Sequence, residues 1–304
     1  IMNHPKAIIN GVLLLDKPKG LSSNNALGRT KKIFNAKKAG HAGTLDPLAT
    51  GILPILFGEA TKFAEFGLDS DKRYFADISL GTKTSTGDVE GEVIEEKVFN
   101  ENTNVSKVLQ FFVGEQFQIP PMYSALKYQG KPLYKYARAG QEIERKKRFI
   151  NIKSIKLIFR KQSLLRIDVT CSKGTYIRTL AEDIGEKLGS CAHLYNLRRV
   201  GVGTFSIDQS INIDKLELLA SSDPRILSKE LRPVDSFINH WPSLQLQIQQ
   251  EKKFLNGQAI ELNFLNIGKK NEHLIRVYGY SNDFLGTGQI VGDRFLCPRR
   301  LISK

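Results

Sequence analysis

The sequence predicts an α+β fold, with a mixed, largely antiparallel sheet and flanking helices followed by a small C-terminal β-barrel. Three observations lead there. Strand-like and helix-like segments mix without the strand–helix–strand rhythm of a doubly wound sheet. Roughly the last sixty residues hold short strand candidates separated by turn residues. The 304-residue length, with 41% hydrophobic and 25% charged residues, is that of a folded chain able to bury a sizeable core.

Each element has a local reason. Ile8–Leu15 is apolar and β-rich, and Asp16-Lys17-Pro18-Lys19-Gly20 should end it as a turn, with Asp16 and Lys17 forming a surface ion pair. Ser22 should cap a helix carrying Ala26, Leu27, Thr30, Ile33 and Phe34 on one face. His41–Pro54 is expected to be irregular: Pro47 removes a backbone donor and biases Asp46 toward extended geometry, while Gly43 and Gly51 allow conformations foreign to a helix. Ala60–Phe66 and Val105–Val113 suit short helices, and Tyr74–Leu80 a strand. In Leu164–Cys171 the alternation of Leu165, Ile167, Val169 and Cys171 predicts a strand with one buried face. Lys173-Gly174-Thr175 reads as a tight turn into a helix from about Tyr176 to Leu188, with Gly189 as its C-cap.

Asn239–Leu244 resembles a linker, which divides the chain into a domain of residues 1–243 and a module of residues 244–304. The module's strand candidates are His273–Tyr280 and Gly286–Val291, with turns at Gly257, Asn266-Ile267-Gly268 and Asn282-Asp283.

Charge narrows the function. Lys+Arg number 45 against 31 Asp+Glu, a net +14 that draws polyanions. No apolar run approaches membrane-spanning length and no signal-peptide pattern is present, so a soluble, cytoplasmic protein without membrane attachment is expected. Residues 121–160 hold eleven Lys/Arg against Glu142 and Glu144, and residues 1–40 hold eight against Asp16. In the former stretch Tyr123, Tyr128, Tyr134 and Tyr136 interleave with the cations, a combination that suits phosphates and unpaired bases of RNA.

Several chemistries lack their usual supports. There is no phosphate-binding GxxxxGK[ST], no GxGxxG after a strand, no HExxH and no EF-hand loop. Cys171, Cys191 and Cys297 have no CxxC spacing, and His4, His41, His193, His240 and His273 fall at no metal-ligand spacing. No metal and no cofactor are therefore expected. Asp46, on a stiff loop five residues after His41, has the placement of a nucleophile presented to a pocket. Local chemistry alone favours an Asp-Pro turn.

The block Gly40-His41-Ala42-Gly43-Thr44-Leu45-Asp46-Pro47-Leu48-Ala49-Thr50-Gly51 resembles the catalytic motif of TruB-type tRNA pseudouridine-55 synthases. Five further blocks follow the family's order: Asp16–Gly20, Asp71-Lys72-Arg73-Tyr74, Pro121–Lys127, Cys171–Arg178 and Leu197-Arg198-Arg199. The likeness runs from about Val12 to the end, where Phe254-Leu255-Asn256-Gly257 and Leu296–Leu301 resemble a PUA-like RNA-binding domain. The resemblance implies a pseudouridine-synthase catalytic domain that isomerises the T-loop uridine of tRNA after flipping the base out of its stack.

By that resemblance Asp46 is the nucleophile, toward either the ribose C1′ or the uracil C6. Arg178 pairs with Asp46, and Tyr74 packs on the uracil and moves a proton. Tyr176 lies against the base, Leu197 closes the apolar side, and His41 contacts the tRNA loop. The basic stretch of about residues 121–150 is the insertion that clamps the tRNA T-arm at the elbow. A monomer with no obligatory protein partner is expected. The alternative is a non-catalytic tRNA-binding or folding protein using the same groove, which an intact Asp46, Tyr74, Tyr176 and Arg178 disfavours. A relative acting within a guide-RNA complex is disfavoured by the lack of long basic tails.

Overall fold

The structure, a computed structural model, describes residues 5–262, 274–292 and 294–303. The chain opens with β1 (Gly11–Lys17) and α1 (Ser23–Ile33), and then β2 (Ala39–His41) and β3 (Thr50–Phe57) flank the Asp46 loop. A 3-10 segment (Gly58–Phe63) runs into α2 (Ala64–Asp69) and β4 (Lys72–Leu80), followed by the hairpin β5 (Thr82–Thr84) and β6 (Val93–Glu96). After α3 (Val105–Leu109) and β7 (Gly114–Gln118), the basic segment forms β8 (Lys127–Tyr128), β9 (Lys131–Pro132) and α4 (Leu133–Arg138). Next come β10 (Arg148–Lys161), β11 (Leu164–Cys171), α5 (Ile177–Lys187) and β12 (Ala192–Val202). β13 (Phe205–Ser206), β14 (Ile211–Asn212) and α6 (Ile213–Ser222) follow.

Among the described residues ten strands form one sheet, ordered β14-β1-β3-β12-β4-β11-β10-β7 with β2 beside β3 and β13 beside β12. The β1–β14 and β3–β12 pairs are parallel and the others antiparallel, so the sheet is mixed and largely antiparallel. The alternation in β11 places Leu165, Ile167, Val169 and Cys171 in the core with Tyr74, Ala76 and Ile78 of β4, where Leu180, Ala181 and Ile184 of α5 pack on them. The opposite face carries ion pairs instead, Arg73–Asp168 at 2.6 Å and Arg166–Asp77 at 2.6 Å.

The helix ends behave as their sequences require. Ser22 caps α1 by accepting from the Asn25 N–H at 3.1 Å. Gly189, at φ +75°, ends α5: its N–H reaches the Glu186 carbonyl at 2.9 Å and the Ser190 N–H the Gly185 carbonyl at 3.0 Å.

Four expectations need correction. Thr50–Pro54 is strand rather than loop, because β3 is buried on both faces and Pro54 offers its carbonyl to the Ala42 N–H at 3.0 Å. Asp16 and Lys17 belong to β1 and do not pair with each other: Asp16 binds Arg198 at 2.8 Å, and Lys17 points into the interior. The helix expected at Ala60–Phe66 is a 3-10 turn running into α2, and Asn239–Leu244 runs into a strand rather than remaining a free linker.

That strand, β15 (Ser243–Gln245), joins β17 (Leu274–Tyr278), β18 (Phe284–Val291), β19 (Phe295–Leu301) and β16 (Ile260–Glu261) in a five-stranded sheet. With α7 (Ile248–Leu255) it encloses a core of its own around Phe254, Ile275, Val277 and Leu296, as a PUA-like module requires. The module is fastened to the larger sheet's periphery by Phe63 against Phe284 at 5.7 Å, Arg300–Glu65 at 2.6 Å and Lys62 donating to the Leu301 carbonyl at 2.8 Å. The expected Asn266-Ile267-Gly268 turn, His4 and His273 lie outside the described residues.

Candidate active site

The loop between β2 and β3 is held at both ends and in its middle. Ser23, at the start of α1, uses one hydroxyl to accept from the Leu45 N–H at 2.8 Å and to donate to the Leu45 carbonyl at 2.9 Å. The Gly20 N–H donates to the Pro47 carbonyl at 2.7 Å, and Leu45 and Leu48 are buried beneath. Asp46 is thus left with its side chain 39% exposed at the edge of a cavity of about 320 Å³. The cavity is lined by Asp46, Tyr74, Tyr176, Arg178, Leu197 and Leu68, so five of the six predicted site residues converge.

Arg178 enters from the first turn of α5, its side chain only 6% exposed. Its Nη2 lies 2.9 Å from the Asp46 carboxylate and donates to the Tyr123 carbonyl at 2.6 Å. Its Nη1 lies 3.7 Å from the carboxylate of buried Asp88 and donates to the Thr86 carbonyl at 3.3 Å. A guanidinium fixed by this many acceptors can aim Asp46 without itself moving.

Tyr74 stands on β4 facing the core side, and Leu197 on the adjacent β12 opposite Ala76. Burial pushes the Tyr74 phenol above its ordinary range, against the opposing pull of nearby Arg199, so it is neutral at physiological pH. Tyr176 is the N-cap residue of α5, locked by a reciprocal pair: its N–H donates to Gln118 Oε1 at 2.8 Å and Gln118 Nε2 donates to its carbonyl at 3.1 Å. Burial raises its phenol as well.

His41 lies outside the cavity. It sits at the end of β2 opposite Ile55, with its Nδ1 buried and unpartnered. Burial and then the charge of Arg199 lower its pKa, leaving a neutral imidazole.

The sequence did not single out four residues around the loop. Lys17 is fully buried, donating to the Pro18 and Leu21 carbonyls at 2.9 and 2.7 Å, and burial lowers its pKa to about 8 despite Asp46. Lys72 caps the carbonyls of Gly67, Leu68 and Ser70 at the end of α2, and burial lowers it to about 8 too. Arg199 was legible in principle, since strand alternation puts it on the same face as Leu197. Asp88 had no local signal beyond a turn.

The basic segment borders the cavity through Ser124, Ala125 and Leu126. Within it Lys131 lies over the Tyr136 ring at 4.5 Å and Arg138 over Tyr134 at 5.5 Å, while Lys146, Lys147 and Arg148 are exposed. A larger cleft of about 810 Å³ lies beside the C-terminal module, but its central groups satisfy one another: Arg276 and the Tyr278 hydroxyl both bind Asp235, at 2.9 and 2.5 Å.

The architecture is that of pseudouridine synthases. A chain from a Cbf5–Nop10–Gar1 complex superposes with a TM-score of 0.70 at 27% identity, over 93% of this chain and 79% of that one. A chain from an H/ACA RNP bound to a substrate RNA containing 2′-deoxyuridine shares the fold with a TM-score of 0.73 at 21% identity, over 98% of this chain and 86% of that one.

Sequence comparison makes the assignment specific: the chain belongs to the TruB family of pseudouridylate synthases. Residues 31–177 match the TruB family pseudouridylate synthase N-terminal domain, and residues 178–239 the tRNA pseudouridylate synthase B C-terminal domain. Residues 242–302 match the C-terminal region of pseudouridine synthase II TruB. The tRNA pseudouridine synthase B of Burkholderia mallei (strain NCTC 10247) is 47% identical over 297 residues, covering 97% of each chain. That of Stutzerimonas stutzeri (strain A1501) is 45% identical over 296 residues, covering 97% of this chain and 96% of its own.

Proposed function

We propose that this protein is a tRNA pseudouridine-55 synthase that isomerises the T-loop uridine through Asp46. One observation carries the reading: a carboxylate on a pinned loop, held at 2.9 Å by a buried guanidinium, faces a cavity of about 320 Å³ floored by a tyrosine and a leucine. That volume lies near the lower end of small-ligand sites, roughly 300–1,000 Å³, as a single flipped nucleoside requires. Asp46 attacks the ribose C1′ or the uracil C6. The N-glycosidic bond breaks, the detached uracil turns, C5 bonds to C1′, the bond to Asp46 breaks to regenerate the carboxylate, and C5 loses a proton while N1 gains one. The reaction is an isomerisation balanced without an added oxidant, reductant or group donor.

Arg178 keeps Asp46 ionised and oriented. Tyr74 offers the uracil an apolar face and a neutral phenol able to carry a proton. Tyr176 and Leu197 confine the base, and His41 meets the tRNA loop beside the vacated stack. Residues 121–150 clamp the T-arm at the tRNA elbow. Residues 1–243 form the catalytic domain and residues 244–304 the PUA-like domain. The protein works as a cytoplasmic monomer without an obligatory protein partner. Among the described residues no helix is long and apolar enough to cross a membrane.

The test uses purified protein, a tRNA transcript and chemical mapping of pseudouridine at the T-loop uridine. Wild type should convert that uridine, and Asp46→Asn should bind tRNA but convert none. Turnover by Asp46→Asn near the wild-type rate would exclude Asp46 as nucleophile, and an unmodified transcript with wild type would overturn the enzymatic reading.

A further inference from the structure

Arg199 is the largest of the fully buried side chains, 1% exposed at the heart of the catalytic domain. Among the described residues it has no carboxylate partner. Its Nε donates to the Ile52 carbonyl at 2.8 Å, Nη2 to the Gly43 carbonyl at 3.0 Å and Nη1 to the Thr44 carbonyl at 3.4 Å. Across the β12–β4 pair it stands directly opposite Tyr74, and both side chains line the cavity. A buried guanidinium without an anion is a costly way to fill space that a leucine or methionine could occupy. What it obtains in return is a set of contacts that no apolar residue could make.

The loop is moulded on this residue at two points. A Cβ on Gly43 would lie 3.3 Å from Arg199 Nη1, and a Cβ on Gly51 would lie 2.1 Å from the Arg199 carbonyl oxygen. Both glycines hold φ +105°: Gly43, within the Asp46 loop, closes on the guanidinium, and Gly51, where the loop enters β3, closes on the Arg199 backbone across the parallel β3–β12 pairing. The neighbouring cations bind elsewhere, Lys17 to the Pro18 and Leu21 carbonyls and Lys72 to the end of α2. Arg198, one position earlier, faces the other side of the sheet and binds Asp16.

We propose that Arg199 is a positioning residue for the isomerisation, its guanidinium holding the backbone of the Asp46 loop against the strand pair that carries Tyr74 and so setting the spacing between nucleophile and phenol. The proposal rests on the reading that Asp46 and Tyr74 act on the flipped uridine. Arg178 aims the Asp46 side chain from α5, while Arg199 holds the peptide units that precede Asp46.

The experiment uses full-length protein with enzyme in saturating excess over tRNA transcript. Under that condition a smaller folded fraction leaves the observed rate constant unchanged, whereas misplaced reacting groups lower it. Arg199→Lys, which retains the charge but not the fork of donors, should lower the single-turnover rate constant about 10- to 100-fold, with tRNA affinity within about twofold of wild type. Gly43→Ala should also slow turnover. Combined with Arg199→Lys it should cost less than the product of the two single losses, because both act on one contact.

A wild-type rate constant for Arg199→Lys, a loss confined to tRNA affinity, or independent effects of the two substitutions would each overturn the proposal. Asp46→Asn, run alongside, separates the two levels. If it still forms pseudouridine, the underlying reading fails. If it is inactive while Arg199→Lys is unimpaired, only the role of Arg199 fails.

Discussion

Replacing Ser23 by alanine removes one oxygen atom and tests whether the fold positions the nucleophile. Ser23 is buried, and its hydroxyl satisfies both polar groups of Leu45, the residue before Asp46, at 2.8 and 2.9 Å. If the loop stays in place in Ser23→Ala, a buried N–H and a buried C=O lose their partners at about 1–3 kcal/mol each, for roughly 2–6 kcal/mol in all. If the loop instead swings out to find water, most of that stability returns, but Asp46 moves, and a displacement of about 1 Å can cost on the order of 100-fold in rate. Urea unfolding and single-turnover pseudouridine formation therefore read complementary losses. At least one must be large. Ser23→Thr, which keeps the hydroxyl, should recover most of both. Unfolding free energy within about 0.5 kcal/mol of wild type together with a rate within about twofold would refute the idea that this hydroxyl anchors the catalytic loop.

Three more predictions rest on the same geometry. Replacing exposed Lys146, Lys147 and Arg148 by glutamine should weaken tRNA binding and reduce the slope of log affinity against log salt by about 2–3, because fewer counterions are released; an unchanged slope would remove them from the interface. Lys72 has a folded-state pKa of about 8 against 10.5 for the free side chain, so between those pH values the unfolded chain binds the proton that the folded one lacks. Wild type should accordingly gain roughly 3 kcal/mol of stability over Lys72→Met as pH rises through that window, with no further divergence below it; denaturation curves whose difference is flat across pH 8 to 10.5 would contradict the assignment. Gly51→Ala should destabilise the protein by more than about 3 kcal/mol, since the added Cβ would meet the Arg199 carbonyl oxygen at 2.1 Å in a backbone region that disfavours alanine; a thermal midpoint unchanged from wild type would show that the backbone yields there.

Elements whose signals are local were legible. Period-two burial in β11, the Ser22 cap and the Gly189 stop depend on residues a few positions apart, and each stands where the sequence placed it. β3 was obscured because Gly51 and Pro54 are local breakers, whereas its strand character comes from β1 and β12 on either side and apolar cover on both faces. The site divides along the same line. Asp46, Tyr74, Tyr176, Arg178 and Leu197 were found through motifs and do meet around one cavity, while His41 stands outside it. Lys17, Lys72 and Arg199 were passed over because a cation in a sequence suggests surface. Their burial is possible because backbone carbonyls accept their N–H groups, nearby in sequence for Lys17 and Lys72 and far away for Arg199, and the turns that present those carbonyls exist only in the folded chain.

The second carboxylate beside Arg178 bears on the course of the reaction. If Asp46 is the nucleophile proposed above, its bond to sugar or base makes it an uncharged ester, and a guanidinium 6% exposed would lose that partner in a low-dielectric site. Asp88, buried and 3.7 Å away on the other side, lies outside the cavity lining and keeps its carboxylate beside the guanidinium. The resting pocket thus sets two carboxylates on one guanidinium, with Asp46 at 2.9 Å the nearer and Asp88 at 3.7 Å the farther. On the proposed course the partner that Arg178 needs at the covalent stage is already in place before the reaction begins.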